Sequence, residues 1–142
     1  MEIKRCRQDD FEPVLRLLEQ LWPDRELDRP ALRGVFSRNL DRDFQYYICA
    51  VSGEGLVGFC SLSIRESLWG QGDIGYIDEL VVEEASRGEG IGGMLLERAS
   101  ELAKEKGCRR VELDSAFHRE GAHRFYEAHG FQSYSLLFTK EI

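Results

Sequence analysis

No apolar run in this 142-residue chain extends beyond a few residues, far short of the ~20 that a membrane-spanning helix needs. The N-terminus, Met-Glu-Ile-Lys-Arg-Cys-Arg, turns acidic at once and lacks the apolar core of a secretory signal, so a cytoplasmic protein is expected. A basic excess is missing too. Lys and Arg number 19 against 26 Asp and Glu, a net charge of −7, and no basic stripe marks a nucleic-acid surface. The acidic surplus falls after Phe44 and fits either a cationic small substrate or plain solubility. Cys6, Cys49, Cys60 and Cys108 show no Cys-x-x-Cys spacing and are expected as free thiols in strands or at strand edges. Repeats, low-complexity tracts and linkers are absent. Residues 1–142 are therefore read as one domain, of a size that folds without disulfide or metal.

Hydrophobic periodicity supplies the elements. A short strand is expected over 3–7. Asp9 or Asp10 then caps a helix with Phe11, Val14, Leu15, Leu18, Leu21 and Trp22 on one face. Asp28 and Pro30 open a second helix bearing Leu32, Val35, Phe36 and Leu40. The period then shortens. Runs at 45–51 and 56–64, separated by Ser-Gly-Glu-Gly, read as a hairpin, and after a looser stretch a third strand is expected over 74–82. A polar loop over 83–90 leads into a helix with Ile91, Met94, Leu95, Ala99, Leu102 and Ala103 on its apolar face, closed by Lys104, Lys106 and Gly107. A strand over 109–114, a helix over 120–129 and a last strand over 131–139 complete the chain. This order predicts an α/β fold with a mixed, mostly antiparallel central sheet and helices on both faces.

Arg87-Gly88-Glu89-Gly90-Ile91-Gly92-Gly93 joins a strand to an amphipathic helix. Such a loop lets backbone N–H groups converge on an anion at the helix N-terminus, and glycine leaves the approach open. Arg87 adds a charge-assisted contact to phosphate oxygens. A tight loop without a ligand is the plain alternative. Gly88, Gly90 and Gly93 also satisfy G-x-G-x-x-G, but residues 83–87 separate them from their strand, and the chain beyond Gly93 cannot complete a doubly wound sheet. A P-loop fails because no Gly-Lys-Ser/Thr comes after the glycines.

The spacing Arg-x-x-Gly-x-Gly, filled by Arg87, Gly90 and Gly92, resembles the acyl-CoA motif of the GNAT N-acetyltransferases. Ile77-Asp78-Glu79-Leu80-Val81-Val82 looks like that family's fourth strand, and residues 122–131, Ala-His-Arg-Phe-Tyr-Glu-Ala-His-Gly-Phe, look like its last helix with a Tyr-x-x-x-Gly-Phe ending. The three matches stand in the family's order. Within the family, His-Arg-x-x-Ala-His-Arg-Phe-Tyr followed by Phe138-Thr139-Lys140 looks like the aminoalkylphosphonate N-acetyltransferases.

The resemblance implies acetyl transfer from acetyl-CoA to a primary amine, with direct transfer in a ternary complex and no metal. It places the pantetheine arm along Leu80 and Val82, and the pyrophosphate on Arg87, Gly88, Glu89, Gly90, Ile91, Gly92 and Gly93. Arg119 stands where many members carry asparagine and can meet a phosphate instead. An alkyl amine is mostly ammonium at neutral pH, so a base or a water relay must take its proton. Glu79 is the candidate base and Asp78 its alternative, since neighbouring strand residues face opposite sides. An ordinary solvated carboxylate pair is as consistent with these residues as catalysis.

Tyr126 matches the general acid; elsewhere a tyrosine on such a helix simply packs. Proton transfer from tyrosine to a thiolate is uphill by about 1.5 pKa units, roughly 2 kcal/mol, so a hydrogen bond to the sulfur serves as well as protonation. The Val81 N–H is placed to polarise the thioester carbonyl. His118, His123 and His129 lack the i, i+4 spacing of a helical metal pair. Trp69 and Tyr76 either pack in the core or line the acceptor pocket. On the helices expected to cover the substrate, Asp24, Glu26 and Asp28 suit a cation, while Arg29, Arg33 and Arg38 suit an anion. Small-molecule amines are favoured over protein N-termini or lysines, a homodimer is expected, and a non-catalytic acyl-CoA-binding module is the competing class.

Overall fold

The computed structural model describes every residue except Glu54, so that part of the Ser-Gly-Glu-Gly turn lies outside the described residues. In chain order the elements are β1 (Glu2–Arg5), a 3-10 turn (Gln8–Asp10), α1 (Phe11–Leu21), α2 (Arg29–Leu40), β2 (Gln45–Ser52), β3 (Gly55–Ser67), β4 (Gly72–Val82), a second 3-10 turn (Glu84–Ser86), α3 (Ile91–Glu105), β5 (Val111–Leu113) and α4 (Glu120–Ala128). They divide into two compact units, Met1–Glu112 and Leu113–Ile142. Among the described residues no helix is long and apolar enough to cross a membrane.

The sheet has strand order β1-β2-β3-β4-β5, and β1 to β4 pair antiparallel. β3 runs three residues past the expected Ile64 and β4 starts two before Ile74, so the looser stretch read at 67–72 narrows to the turn at 68–71. β3 and β4 stay paired down to Ser67 and Gly72, and Gln71 turns the hairpin with a positive φ of 56°. β5 lies beside β4, where the Gly75 N–H donates to the Arg110 carbonyl at 3.1 Å.

Strand alternation sends neighbouring residues to opposite faces, and the packing shows which helix covers each. Cys49, Phe59 and Val81 join Phe11, Val14, Leu15, Leu17, Leu18 and Phe36 in one cluster beneath α1 and α2. Their neighbours face α3: a Cβ at Gly58 would meet Leu95 Cδ1 at 2.8 Å, and one at Gly75 would meet the Ala103 Cβ at 3.0 Å. Helices thus cover both faces of a mostly antiparallel sheet, as expected. Leu17, Leu62 and Leu95 are at most 1% exposed. Burial of each stabilises the fold by about 1.5–3 kcal/mol.

Local expectations fare unevenly. Asp28 caps α2 by accepting the Ala31 N–H at 3.0 Å, with Pro30 in the first turn. Asp10 precedes α1 but does not cap it. Its carboxylate instead takes the Arg7 N–H and the Lys4 ammonium, each at 2.7 Å, because a 3-10 turn runs directly into the helix. Val35 and Met94 are exposed rather than buried, and Leu96 is buried in α3. The four cysteines are free thiols.

In the second unit, α4 ends at Gly130, whose φ of 90° favours glycine. The strand expected over 131–139 does not form. Tyr134, Leu136, Leu137 and Phe138 are exposed, and among the described residues no strand pairs with the segment. An apolar run has strand character only where another strand's edge supplies its hydrogen bonds.

Candidate active site

A register shift in the β3–β4 pair organises the first half of the site. Ser61 pairs with Glu79 and Leu62 pairs with Ile77, so Asp78 is an extra, bulged residue. Gly75 and Ile77 share the α3 side by alternation. The extra residue breaks the parity and turns Glu79 to the side of Val81, which packs beneath α1. Asp78 is exposed and Glu79 half-buried.

The Ser61 hydroxyl, 1% exposed, donates to Glu79 Oε1 at 2.5 Å and accepts the Glu79 N–H at 3.0 Å. This double contact holds the carboxylate at the bulge. Tyr47 lies on the same face, with its ring edge-on to Phe36 at 5.1 Å and its hydroxyl bonded by the Asn39 amide at 3.0 Å. Burial raises the Tyr47 pKa, the Asn39 hydrogen bond opposes this, and the Glu79 and Asp78 carboxylates add to the rise.

Beyond β4 the chain turns through Glu83–Gly90 into α3. Gly88 and Gly90 have φ of 84° and 82°, and a Cβ on either would meet nothing within 4 Å, so backbone conformation rather than crowding calls for glycine. Gly90 is the N-cap of α3, with no side chain bonding the first turn. The N–H groups of Ile91, Gly92 and Gly93 therefore form the helix's positive end. The Ile91 side chain itself is buried. Arg87 and Glu89 are exposed, and Arg87 Nε donates to the Val82 carbonyl at 3.1 Å. Leu80 is half-buried and pairs with Cys60, whose thiol pKa burial pushes up. At the loop entrance Gln20 of α1 donates to Glu83 at 2.8 Å and accepts the Glu84 N–H at 3.1 Å.

These observations meet what a pyrophosphate requires: unhindered amides at a helix N-terminus and an adjacent guanidinium.

The second unit explains the Tyr-x-x-x-Gly-Phe spacing. The Phe131 N–H bonds the Tyr126 carbonyl at 3.0 Å, and the Gly130 N–H bonds that of Glu127 at 3.1 Å. This paired closure needs a left-handed residue at Gly130, and it brings the Phe131 ring within 6.0 Å of the Tyr126 ring. Tyr126 is 9% exposed. Arg119 is half-buried at the N-cap of α4, and its carbonyl accepts the His123 N–H at 3.1 Å. The His123 ring contacts the Ala116 carbonyl and the His129 ring that of Phe125, while His118 is exposed.

The acceptor-side expectations are partly redirected. Arg29 and Arg33 both engage Glu12, and Arg33 also lies over the Phe11 ring. Asp24, Glu26 and Arg38 are exposed, and Asp28 is spent on its cap. Trp69 is 63% exposed with Arg110 stacked on it at 4.5 Å, so it is not a core residue, while Tyr76 is half-buried with Arg65 over its ring.

Sequence reasoning missed Ser61, Tyr47 and Gln20. A serine between Cys60 and Leu62 in the apolar run of β3 was the available signal for the first. The other two depend on which faces meet.

The family model described as Acetyltransferase (GNAT) family matches residues 8–131. An aminoalkylphosphonate N-acetyltransferase of Salmonella typhimurium is 36% identical, over 99% of this chain and 91% of its own length. A glucosamine 6-phosphate N-acetyltransferase of Trypanosoma brucei brucei is 30% identical, over 94% and 90%. Among solved structures, a transcriptional regulator from Bacillus halodurans C-125 superposes with a TM-score of 0.92 at 28% identity, covering 99% of both chains. With this match over most of its length, and with a glycine loop at a helix N-terminus beside a bulged fourth strand, the chain belongs to the GNAT acetyltransferase family and is an acetyl-CoA-dependent N-acetyltransferase.

Proposed function

We propose that this enzyme, working as one catalytic domain in the cytoplasm, acetylates the primary amine of a small molecule that also carries a phosphonate or phosphate, by direct transfer within a ternary complex. The observation that carries the reading is the bulge at Asp78, which turns Glu79 onto the face covered by α1 and α2 and leaves it held by Ser61. Two relatives that match nearly the whole chain have names pairing an amine with a phosphonate or a phosphate, which supports the acceptor class.

Acetyl-CoA supplies an activated thioester. Glu79, directly or through water, takes the proton of the substrate ammonium and frees the nitrogen lone pair. As the N–C bond forms and the C–S bond breaks, the Val81 N–H stabilises charge growing on the carbonyl oxygen. The Tyr126 hydroxyl hydrogen-bonds the departing sulfur, and the proton lost by the acylated nitrogen balances the one that the sulfur gains as free thiol. Leu80 and Val82 align the pantetheine arm, and the 87–93 loop with Arg119 holds the phosphates. The exposed side chains of Tyr134, Leu136, Leu137 and Phe138 support a homodimer.

The test is acetyl transfer across aminoalkylphosphonates, amino-sugar phosphates, polyamines, aminoglycosides, amino acids and peptides, read by product mass. Turnover confined to phosphorus-bearing amines is expected. Turnover of polyamines alone would reject the acceptor class, and coenzyme A binding without any product would favour a non-catalytic module.

A further inference from the structure

A second cluster of reactive side chains lies at the start of the chain, and acetyl transfer does not use it. Cys6 directly follows β1, and its N–H bonds the Tyr47 carbonyl at 2.8 Å. Cys49 stands opposite Lys4 in the β1–β2 pair, and Asp10 closes the 3-10 turn before α1. The two Sγ atoms and a carboxylate oxygen of Asp10 lie within 4.8 Å of one another. Two residues four apart near the start of the chain and one from β2 therefore converge on one point.

The chemistry of these donors is selective. Thiolate sulfurs sit ~2.3 Å from a zinc-class ion and carboxylate oxygens about 2.0–2.2 Å, which separates tetrahedral ligands by about 3.5–3.8 Å. A contraction on the order of 1 Å brings the cluster there. Two thiolates favour a thiophilic cation over magnesium or calcium. Cys49 is 0% and Cys6 8% exposed, so charge balance matters. Two thiolates and one carboxylate around a divalent ion leave one negative charge, which the Lys4 ammonium, 2.7 Å from Asp10 Oδ2, neutralises. The Arg7 N–H bonds the same oxygen and fixes the carboxylate, as outer-shell donors do for metal ligands. The side chains of Asp10 and Lys4 are 18% and 24% exposed, which gives an entry path.

We propose that Cys6, Cys49 and Asp10 form a binding site for one thiophilic divalent cation, of the zinc or cadmium kind, with water in the fourth position. Binding exchanges the two thiol protons for the metal, releases them to solvent and changes no oxidation state. The bound ion ties the end of β1 to β2 and to the start of α1. Among the described residues, neither Cys60 nor Cys108 belongs to such a group, so both serve as internal controls.

The reduced, metal-stripped full chain is titrated with cadmium, following the ultraviolet cadmium–thiolate charge-transfer band. Saturation near one equivalent is expected, with about two protons released. Cys6→Ser and Cys49→Ser should abolish the band, Cys108→Ser should keep it, and Asp10→Asn should weaken affinity at least ~10-fold. A wild-type protein without the band, or a band that survives Cys49→Ser, overturns the site. Should a buried serine prevent folding, cadmium must still raise the wild-type Tm and raise that of Asp10→Asn by less. Equal rises would remove Asp10 from the ligand set.

Discussion

The two faces of the sheet are built differently. The α3 face is mostly aliphatic and tight: Ile48, Ala50, Leu62, Leu95, Leu96 and Ala99 fill it beside Tyr46, and Gly58 lets the helix approach. The α1–α2 face carries the aromatic chain Phe11, Phe36, Tyr47 and Phe59, and polar pairs are set into it: Ser61 with Glu79, Asn39 with Tyr47, and Lys4 with Asp10. A buried polar group costs free energy unless it is hydrogen-bonded, so a face that holds several is organised for more than stability. Both faces bury a core, and the α1–α2 face also holds the polar groups.

That division can be broken or sharpened in steps. Leu95→Ala should cost most, about 3–5 kcal/mol in urea unfolding, while kcat per folded molecule stays near wild type. A selective loss of kcat without loss of stability would contradict the division. Glu79→Gln should do the reverse, with kcat lower by ~10²–10³-fold and thermal unfolding little changed. Ser61→Ala should lower kcat about tenfold and cost ~1 kcal/mol, because Glu79 loses the hydrogen bonds of the Ser61 hydroxyl. Ser61→Thr, which keeps the hydroxyl, should restore part of both effects.

Tyr47→Phe should be mildest, about 1 kcal/mol at neutral pH. Its signature is alkaline. Burial raises the folded-state pKa of Tyr47 above the unfolded value near 10, so the neutral phenol's contribution is complete below about pH 10 and declines as pH rises toward the folded pKa. Unfolding midpoints measured from pH 8 upward should therefore fall less steeply in Tyr47→Phe than in wild type.

Much of this architecture was legible because it is local. The periodicity of 11–22 and 91–103 marked two amphipathic helices, Asp28 with Pro30 marked a helix start, and the glycines of 88–93 marked a loop at a helix N-terminus. Tyr-x-x-x-Gly-Phe was read as a motif, and the structure adds its cause: a left-handed Gly130 closes α4 and sets Phe131 edge-on to Tyr126. Expectations failed where the outcome depended on a partner. Residues 131–139 have the composition of a strand, but composition provides no neighbouring edge. Asp10 looked like a cap until Lys4 and Arg7 claimed its carboxylate.

The sequence by itself determined the element order, the glycine loop and the family, because helix periodicity, turn chemistry and motif spacing are carried by residues close along the chain. Only the tertiary structure decided that Glu79 and Val81 face α1 while Ile77, two residues before Glu79, faces α3. Plain alternation would put Ile77, Glu79 and Val81 all on one face. The extra residue at 78 becomes visible only when Ser61 and Leu62 fix the register from the facing strand. The meeting of Cys6, Asp10 and Cys49 was hidden for the same reason: strand pairing sets that distance, and sequence separation does not.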